Sequence, residues 1–273
     1  QRRDLERSAR RLDVGRAVRA LSDAVSARLN AVVSRRDAAV LAEAEAATRR
    51  FAQGAPLSAL DGIPLTVKDS LFLADLPTTC GTAALRDYRP GHDELAAARA
   101  RAAGALILGK TNVPEFANDG YTANPLFGVT GNPWAPDLTP GGSRGGAVAA
   151  VAAGMVPVAV GSQTNGSVIR PAAFCGVYGF KPTHGLIPRS GVLKQSRALD
   201  QIGVFARALD DIALISEQII FAHEADPDTR ARARPPLLAT LREAPPLPPS
   251  IAFVKTPVWE RAAPETRDAF AEL

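Results

Sequence analysis

Two serines in glycine-bearing runs and one lysine at a strand end have the types and settings to do chemistry. Ser143 lies in PGGSRGG, residues Pro140–Gly146, whose Gly141-x-Ser143-x-Gly145 has the form that exposes a nucleophilic serine on a strand-to-helix turn. Such an elbow needs a strand running into its first glycine. The approach, NPWAPDLTP (Asn132–Pro140), carries three prolines, which forbid a central strand. The histidine such a site requires would be His184 or His223, and neither stands in a suggestive context. Ser167 is better placed. In GSQTNGSVIRPAAFCG (Gly161–Gly176) it falls between a glycine-bearing turn and a helical start. The N–H groups of Thr164, Asn165, Gly166 and Ser167 can form a concave nest of donors, the kind that holds an oxyanion. Upstream, GIPLTVKD ends a short strand on Lys68, and strand alternation sends Asp69 to the other face, so Asp69 need not neutralise the lysine.

The elements that must position these residues follow from periodicity. Val18, Leu21, Val25, Leu29 and Val32 recur at helical spacing and predict an amphipathic helix over about 14–33. A second helix follows over Asp37–Phe51, closed by Gly54. Ile63–Val67 reads as a strand, Asp93–Ala103 as a helix stopped by Gly104, and Ala105–Leu108 as an apolar strand. Thr111–Gly142, rich in Asn, Pro, Gly and Thr, reads as a long structured loop of the functional kind. Then come helix Ala147–Ala153, strand Val156–Val160, the strand-like Gly176–Phe180 and helix Leu209–Ile219. Asp226–Ser250 reads as a surface connection, Ile251–Val254 as a strand and Pro264–Leu273 as the start of a helix. The alternation predicts an α/β fold with a mixed or parallel central sheet flanked by helices. It is organised as one domain over 1–273, with N-terminal helices to about 54, a core over about 60–220, and a C-terminal part beginning at 251. A chain that stops inside its last helix reads as a fragment, with the sheet incomplete at the C-terminus.

Composition narrows the function. Hydrophobic residues make up 46% and charged residues 22% of 273, an ordinary soluble balance. The net charge is +4, and the arginines are spread along Arg2–Arg50 and Arg197–Arg242 rather than gathered with aromatics. That is a solvated surface rather than a nucleic-acid footprint. The apolar run Ala147–Gly161 is too short to span a bilayer. Two cysteines, Cys80 and Cys175, exclude a disulfide framework and point to a reducing, cytoplasmic compartment. Three histidines and two cysteines far apart give no metal-ligand spacing, and no cofactor is called for. The partners that composition leaves open are a small molecule and, at most, further copies of the chain, with no metal, membrane or nucleic acid.

The motifs together resemble the amidase signature family. GIPLTVKD (Gly62–Asp69), GALILGKTNVPEF (Gly104–Phe116), the run from Asn132 to Gly154, GSQTNGSVIRPAAFCGVYGFKPTHG (Gly161–Gly185) and LDQIGVFAR (Leu199–Arg207) follow its order and spacing over nearly the whole chain. The resemblance implies a Ser–cis-Ser–Lys triad, with Ser167 as nucleophile, Ser143 as the bridging serine after a cis peptide bond, and Lys68 as base. It implies hydrolysis of a carboxamide to a carboxylate and ammonia or an amine through an acyl-enzyme, with no metal. Lys68 must then be neutral, and burial lowers a lysine from its ordinary value of about 10.4. Lys110 in GKTN is a rival base, but the family places its lysine in the V-K-D context. Cys175 reads as a buried small apolar residue.

Two positions depart from the family pattern. Arg144 stands where a second serine is usual, and Asn165 where glycine is usual within the nest. Arg144 would either depress Lys68 or crowd the relay. Three functions are compatible with the resemblance: a small-molecule amidase, the A subunit of a glutamyl-tRNA amidotransferase, and a catalytically impaired remnant of the fold. The amidotransferase chain usually has Asp where Gln163 stands and Arg where Ile169 stands, which favours a stand-alone enzyme. Arg170, three residues after Ser167, either ties the Ser167 loop to a carboxylate or to backbone carbonyls, or holds a substrate carboxylate with its fork.

Overall fold

The computed structural model describes residues 28–244, 247–248 and 250–272. Six strands form one mixed sheet in the order β1–β3–β2–β6–β8–β7. Their ranges are β1 Val32–Arg35, β2 Pro64–Lys68, β3 Leu106–Thr111, β6 Val158–Gln163, β7 Tyr178–Phe180 and β8 Gln201–Ala206. β3, β2 and β6 run parallel at the centre, while β1 and then β8 and β7 pair antiparallel outside them. A small hairpin, β4 (Ala123–Asn124) with β5 (Gly128–Val129), lies within the long loop.

Strand alternation splits the core in two. Leu65, Val67, Val158, Val160, Ile202 and Val204 face one side. There they pack on helices α2 (Leu95–Ala102) and α5 (Leu209–Ile219) through Ala97, Ala100, Ile212 and Ile215. Ala159 and Phe205 face the other side. They meet α3 (Gly145–Ala152), buried from Gly145 to Val151, and α4 (Ile169–Cys175). Helix α1 (Asp37–Ala52) covers Leu106 with Val40 and Ala44. A central sheet between two helical layers is the α/β arrangement that the alternation of elements predicts.

Several expectations need correction. The helix predicted over 14–33 lies outside the described residues up to 27; Arg28 and Leu29 are helical, and the helix stops there, short of its expected end. Asn30 turns the chain at φ +49°, and Val32–Arg35 pairs with β3. β-branched Val32 and Val33 suit a ladder once a partner strand is offered. Ile251–Val254 forms no strand and is exposed, for no ladder partner meets it among the described residues. β8 is a strand that the periodicity does not announce. Most other elements fall within two or three residues of their expected bounds, and α5 coincides with its expected range.

Contacts divide the chain into two units, Gln1–Leu241 and Arg242–Leu273. The first holds the sheet and the short helix α6 (Leu237–Thr240), whose Leu238 N–H donates to Glu217. Within the second, Phe253 stacks on Phe270 of helix α7 (Pro264–Ala271), and Trp259 meets both rings edge-on. No helix among the described residues is long and apolar enough to cross a membrane.

Candidate active site

The carboxyl ends of the parallel strands carry the candidate residues, as in open α/β sheets generally. β2 ends on Lys68, β6 ends on Gln163 just before the 164–167 turn, and Ser143 precedes α3.

Ser143 is fixed by its loop. Thr122 donates from Oγ1 to the Gly141 carbonyl at 2.9 Å and accepts from the Gly145 N–H at 2.9 Å, clamping both flanks of the serine. Thr139 accepts from the Gly141 N–H. The Gly142–Ser143 peptide bond is cis. Small residues let this segment sit deep: a Cβ at Gly146 would come within 2.5 Å of the Asn112 nitrogen and 2.6 Å of the Ala31 oxygen. Ser143 Oγ then lies 3.2 Å from Lys68 Nζ, and both residues are buried, 1% and 2% exposed. No histidine serves Ser143. The His184 ring bonds the Arg197 carbonyl, and His223 Nδ1 accepts from the Ala225 N–H.

Two buried lysines on neighbouring strands have opposite company. Val67 is the register partner of Lys110, so Lys68 and Lys110 leave the sheet by opposite faces. Lys110 donates to the Leu71 carbonyl at 2.6 Å and to Thr78 Oγ1 at 2.8 Å, and it lies 3.3 Å from Asp69. Asp69 also accepts from the N–H and hydroxyl of Thr79. The carboxylate next in sequence to Lys68 therefore serves the other lysine. Burial, and then the Arg144 charge, pull Lys68 well below the ordinary lysine value. Burial also lowers Lys110, with the Asp69 charge opposing.

The Ser167 turn is shaped from behind. Gln163 Oε1 accepts from the N–H groups of Val168 (2.6 Å) and Ile169 (3.1 Å), satisfying two orphan donors at the start of α4. Gly166 adopts φ +122°, a conformation that side chains rarely tolerate. The Thr164 hydroxyl donates to Asp200 Oδ1 at 2.6 Å. The N–H groups of Thr164, Asn165, Gly166 and Ser167 donate to no protein acceptor among the described residues. Ser167 is 6% exposed, and among the described residues no hydrogen bond joins it to Ser143. Lys68 and Ser143 are thus in direct contact, while the step from Ser143 to Ser167 is open. Arg170 reaches from the start of α4 to the carbonyls of Gly142 (3.4 Å) and Asn165 (3.3 Å), spanning both serine-bearing segments. No carboxylate among the described residues pairs with it.

Sequence reasoning missed the supports. Thr122, Gln163, Gln195 and Asp200 hold the two serine turns through side-chain bonds that follow no periodicity. Cys175 is buried with its thiol pushed up to about 12, and Cys80 with its thiol up to about 11, both by burial. A surface cleft lined by Leu29, Pro133, Trp134, Pro136, Ala152 and Ala153 lies at the C-terminal end of α3, away from Ser143. Among the described residues no group of three or more His, Cys, Asp and Glu side chains could hold a metal ion.

A central mixed sheet flanked by helices, as here, has counterparts among known proteins. The profile of the Amidase family matches residues 16–273, and the chain belongs to this family, that of the amidase signature enzymes. It is 42% identical over 213 residues to the A chain of the glutamyl-tRNA(Gln) amidotransferase of Thermus thermophilus, covering 76% of this chain and 45% of that one. It superposes on the native peptide amidase of Stenotrophomonas maltophilia with a TM-score of 0.80 at 34% identity, covering 85% of this chain and 50% of the other. A 6-aminohexanoate cyclic dimer hydrolase bound to its substrate gives 0.79 at 33%, covering 86% and 48%. The chain spans about half the length of these relatives.

Proposed function

We propose that the protein hydrolyses a small-molecule carboxamide through an acyl-enzyme. Ser167 attacks the amide carbon. Its proton passes to Ser143, whose own proton moves to the neutral amine of Lys68. The four N–H groups of Thr164–Ser167 receive the oxygen that becomes negative. Lys68 then returns the proton through Ser143 to the departing nitrogen, which leaves as ammonia or an amine. Water admitted to the site gives its proton along the same path as it attacks the ester, releasing the carboxylate and Ser167. The observation that carries this reading is the Lys68–Ser143 contact at 3.2 Å with no carboxylate on the amine. A buried lysine without a counter-ion is held neutral, and a neutral amine accepts a proton.

The Arg170 fork, not paired with any carboxylate, is placed to take an acidic group on the substrate, which suits half-amides of small dicarboxylic acids. The test is ammonia release from a panel of simple amides by the purified protein. Turnover abolished by Ser167→Ala supports the reading.

A second reading is favoured by the 42% identity to a glutamyl-tRNA(Gln) amidotransferase chain. In that reading the same site frees ammonia for an assembly rather than for solution. Ammonia release confined to mixtures containing the charged tRNA and partner subunits would establish it. Silence in both assays would make the chain an impaired remnant of the fold.

A further inference from the structure

Arg144 is left unexplained by the reaction. It is 1% exposed and the largest of the fully buried side chains. It follows Ser143 directly, and its stem lies on β6, where a Cβ at Gly161 would come within 2.6 Å of both Cδ and Nε. Nε and Nη1 have no hydrogen-bond partner among the described residues. The carboxylate whose field reaches it is Asp200, and that carboxylate is engaged elsewhere. Its Oδ1 accepts from Thr164, and its Oδ2 from the N–H groups of Gln195 (2.7 Å) and Ser196 (2.9 Å). The guanidinium is an uncompensated buried cation.

That placement is among the most unfavourable a side chain can have, and an apolar residue of similar length would fill the space without it. What the arginine supplies and a methionine would not is charge. The groups whose charge reaches Lys68 are Arg144, Cys80, Asp200 and, from across the sheet, Asp69. Cys80 is neutral because its thiol is pushed up to about 11, Asp69 is held by Lys110 and Thr79, and Asp200 by the bonds above. Two cations cannot both persist in this pocket. Burial draws Arg144 down as well, but a guanidinium holds its proton more tightly than an amine and spreads its charge, so the amine yields its proton first.

We propose that Arg144 is a positioning residue for acyl transfer: a fixed cation, seated on Gly161, that denies a second positive charge to Lys68 and so leaves the amine free to accept the Ser143 proton. The inference rests on the triad reading above and adds to burial a second cause of the lysine's neutrality.

The test is the rate of fluorophosphonate inactivation, followed from acid to alkaline pH, with the adduct mapped to its peptide. Wild type should show an acid limb. Arg144→Met and Arg144→Gln should move that limb up by at least about one pH unit, a tenfold loss of rate on the limb, with the rate recovered at alkaline pH. Arg144→Lys, whose buried amine loses its proton for the same reason as Lys68, should not hold the limb in place and should shift it as the neutral variants do. Near-UV circular dichroism checks each variant, and Arg144→Gln decides the matter if the Met variant does not fold. An unmoved limb with a lowered plateau in a folded neutral variant would overturn the inference, making Arg144 a space-filler while leaving the triad standing. No adduct on Ser167 in wild type would overturn both.

Discussion

Replacing the two buried lysines separately by methionine should give opposite results. Lys110→Met removes an amine that bonds Leu71 and Thr78 and faces Asp69 at 3.3 Å, leaving a carboxylate that is 1% exposed without its counter-ion. Breaking such a pair from one side costs about 3–5 kcal/mol. In a domain of this size that lowers the melting temperature on the order of 10 °C. Lys68→Met removes one hydrogen bond, worth about 1 kcal/mol, but gains apolar burial and spares the fold the cost of holding an amine without its proton, so stability near neutral pH should rise and in no case fall by more than about 1 kcal/mol. Activity should vanish all the same. The pH dependence separates the two further. Lys68 is depressed in the folded state, so at neutral pH the unfolded chain binds a proton that the folded chain does not. Wild-type stability therefore gains from Lys68 as pH rises toward the unfolded value of about 10.4, and Lys68→Met should flatten that part of the curve. The assay is denaturant or calorimetric unfolding across pH for both variants. A loss in Lys68→Met equal to that in Lys110→Met would mean Lys68 is a charged, paired group, and the proton-transfer scheme would fail.

Arg170→Lys should raise KM for acidic amides several-fold more than for neutral ones, because lysine keeps the charge and loses the fork; equal losses with a lower melting temperature would leave Arg170 a strap between the Gly142 and Asn165 carbonyls. Gly146→Ala should cost about 1–3 kcal/mol, read from denaturant melts, since the new methyl meets the backbone of Asn112 and Ala31 rather than a movable side chain. Initial rates should rise with pH as Lys68 loses its proton and should be unaffected by EDTA; inactivation by the chelator would place the chemistry on a metal.

How much of this was legible depended on whether a signal was local. Lys68 at the end of β2 could be read because a five-residue strand bounded by Gly62 has few alternatives, and its alternation separates Asp69 from the amine. The α5 range was legible because its apolar positions repeat at helical spacing between Arg207 and Phe221. β1 was not, because Val25, Leu29 and Val32 continue a helical spacing and only pairing with β3 decides against it. Ile251–Val254 erred the other way: its apolar residues read as a strand, yet a strand exists only by its ladder. Of the site, the serines and the lysine could be placed from their contexts. Their supports could not. The Thr122 clamp, the Gln163 bonds behind Ser167 and the seat of Arg144 on Gly161 are contacts between residues common in any loop.

The central claim is that Ser167 is the nucleophile and Ser143 its proton relay. It is tested most directly by locating the adduct of a fluorophosphonate by peptide mass. The account predicts the added mass on the peptide holding Ser167, no labelling of Ser167→Ala, and slow labelling of Ser143→Ala that still falls on Ser167. Mass on the peptide holding Ser143 would contradict it and make that serine the nucleophile.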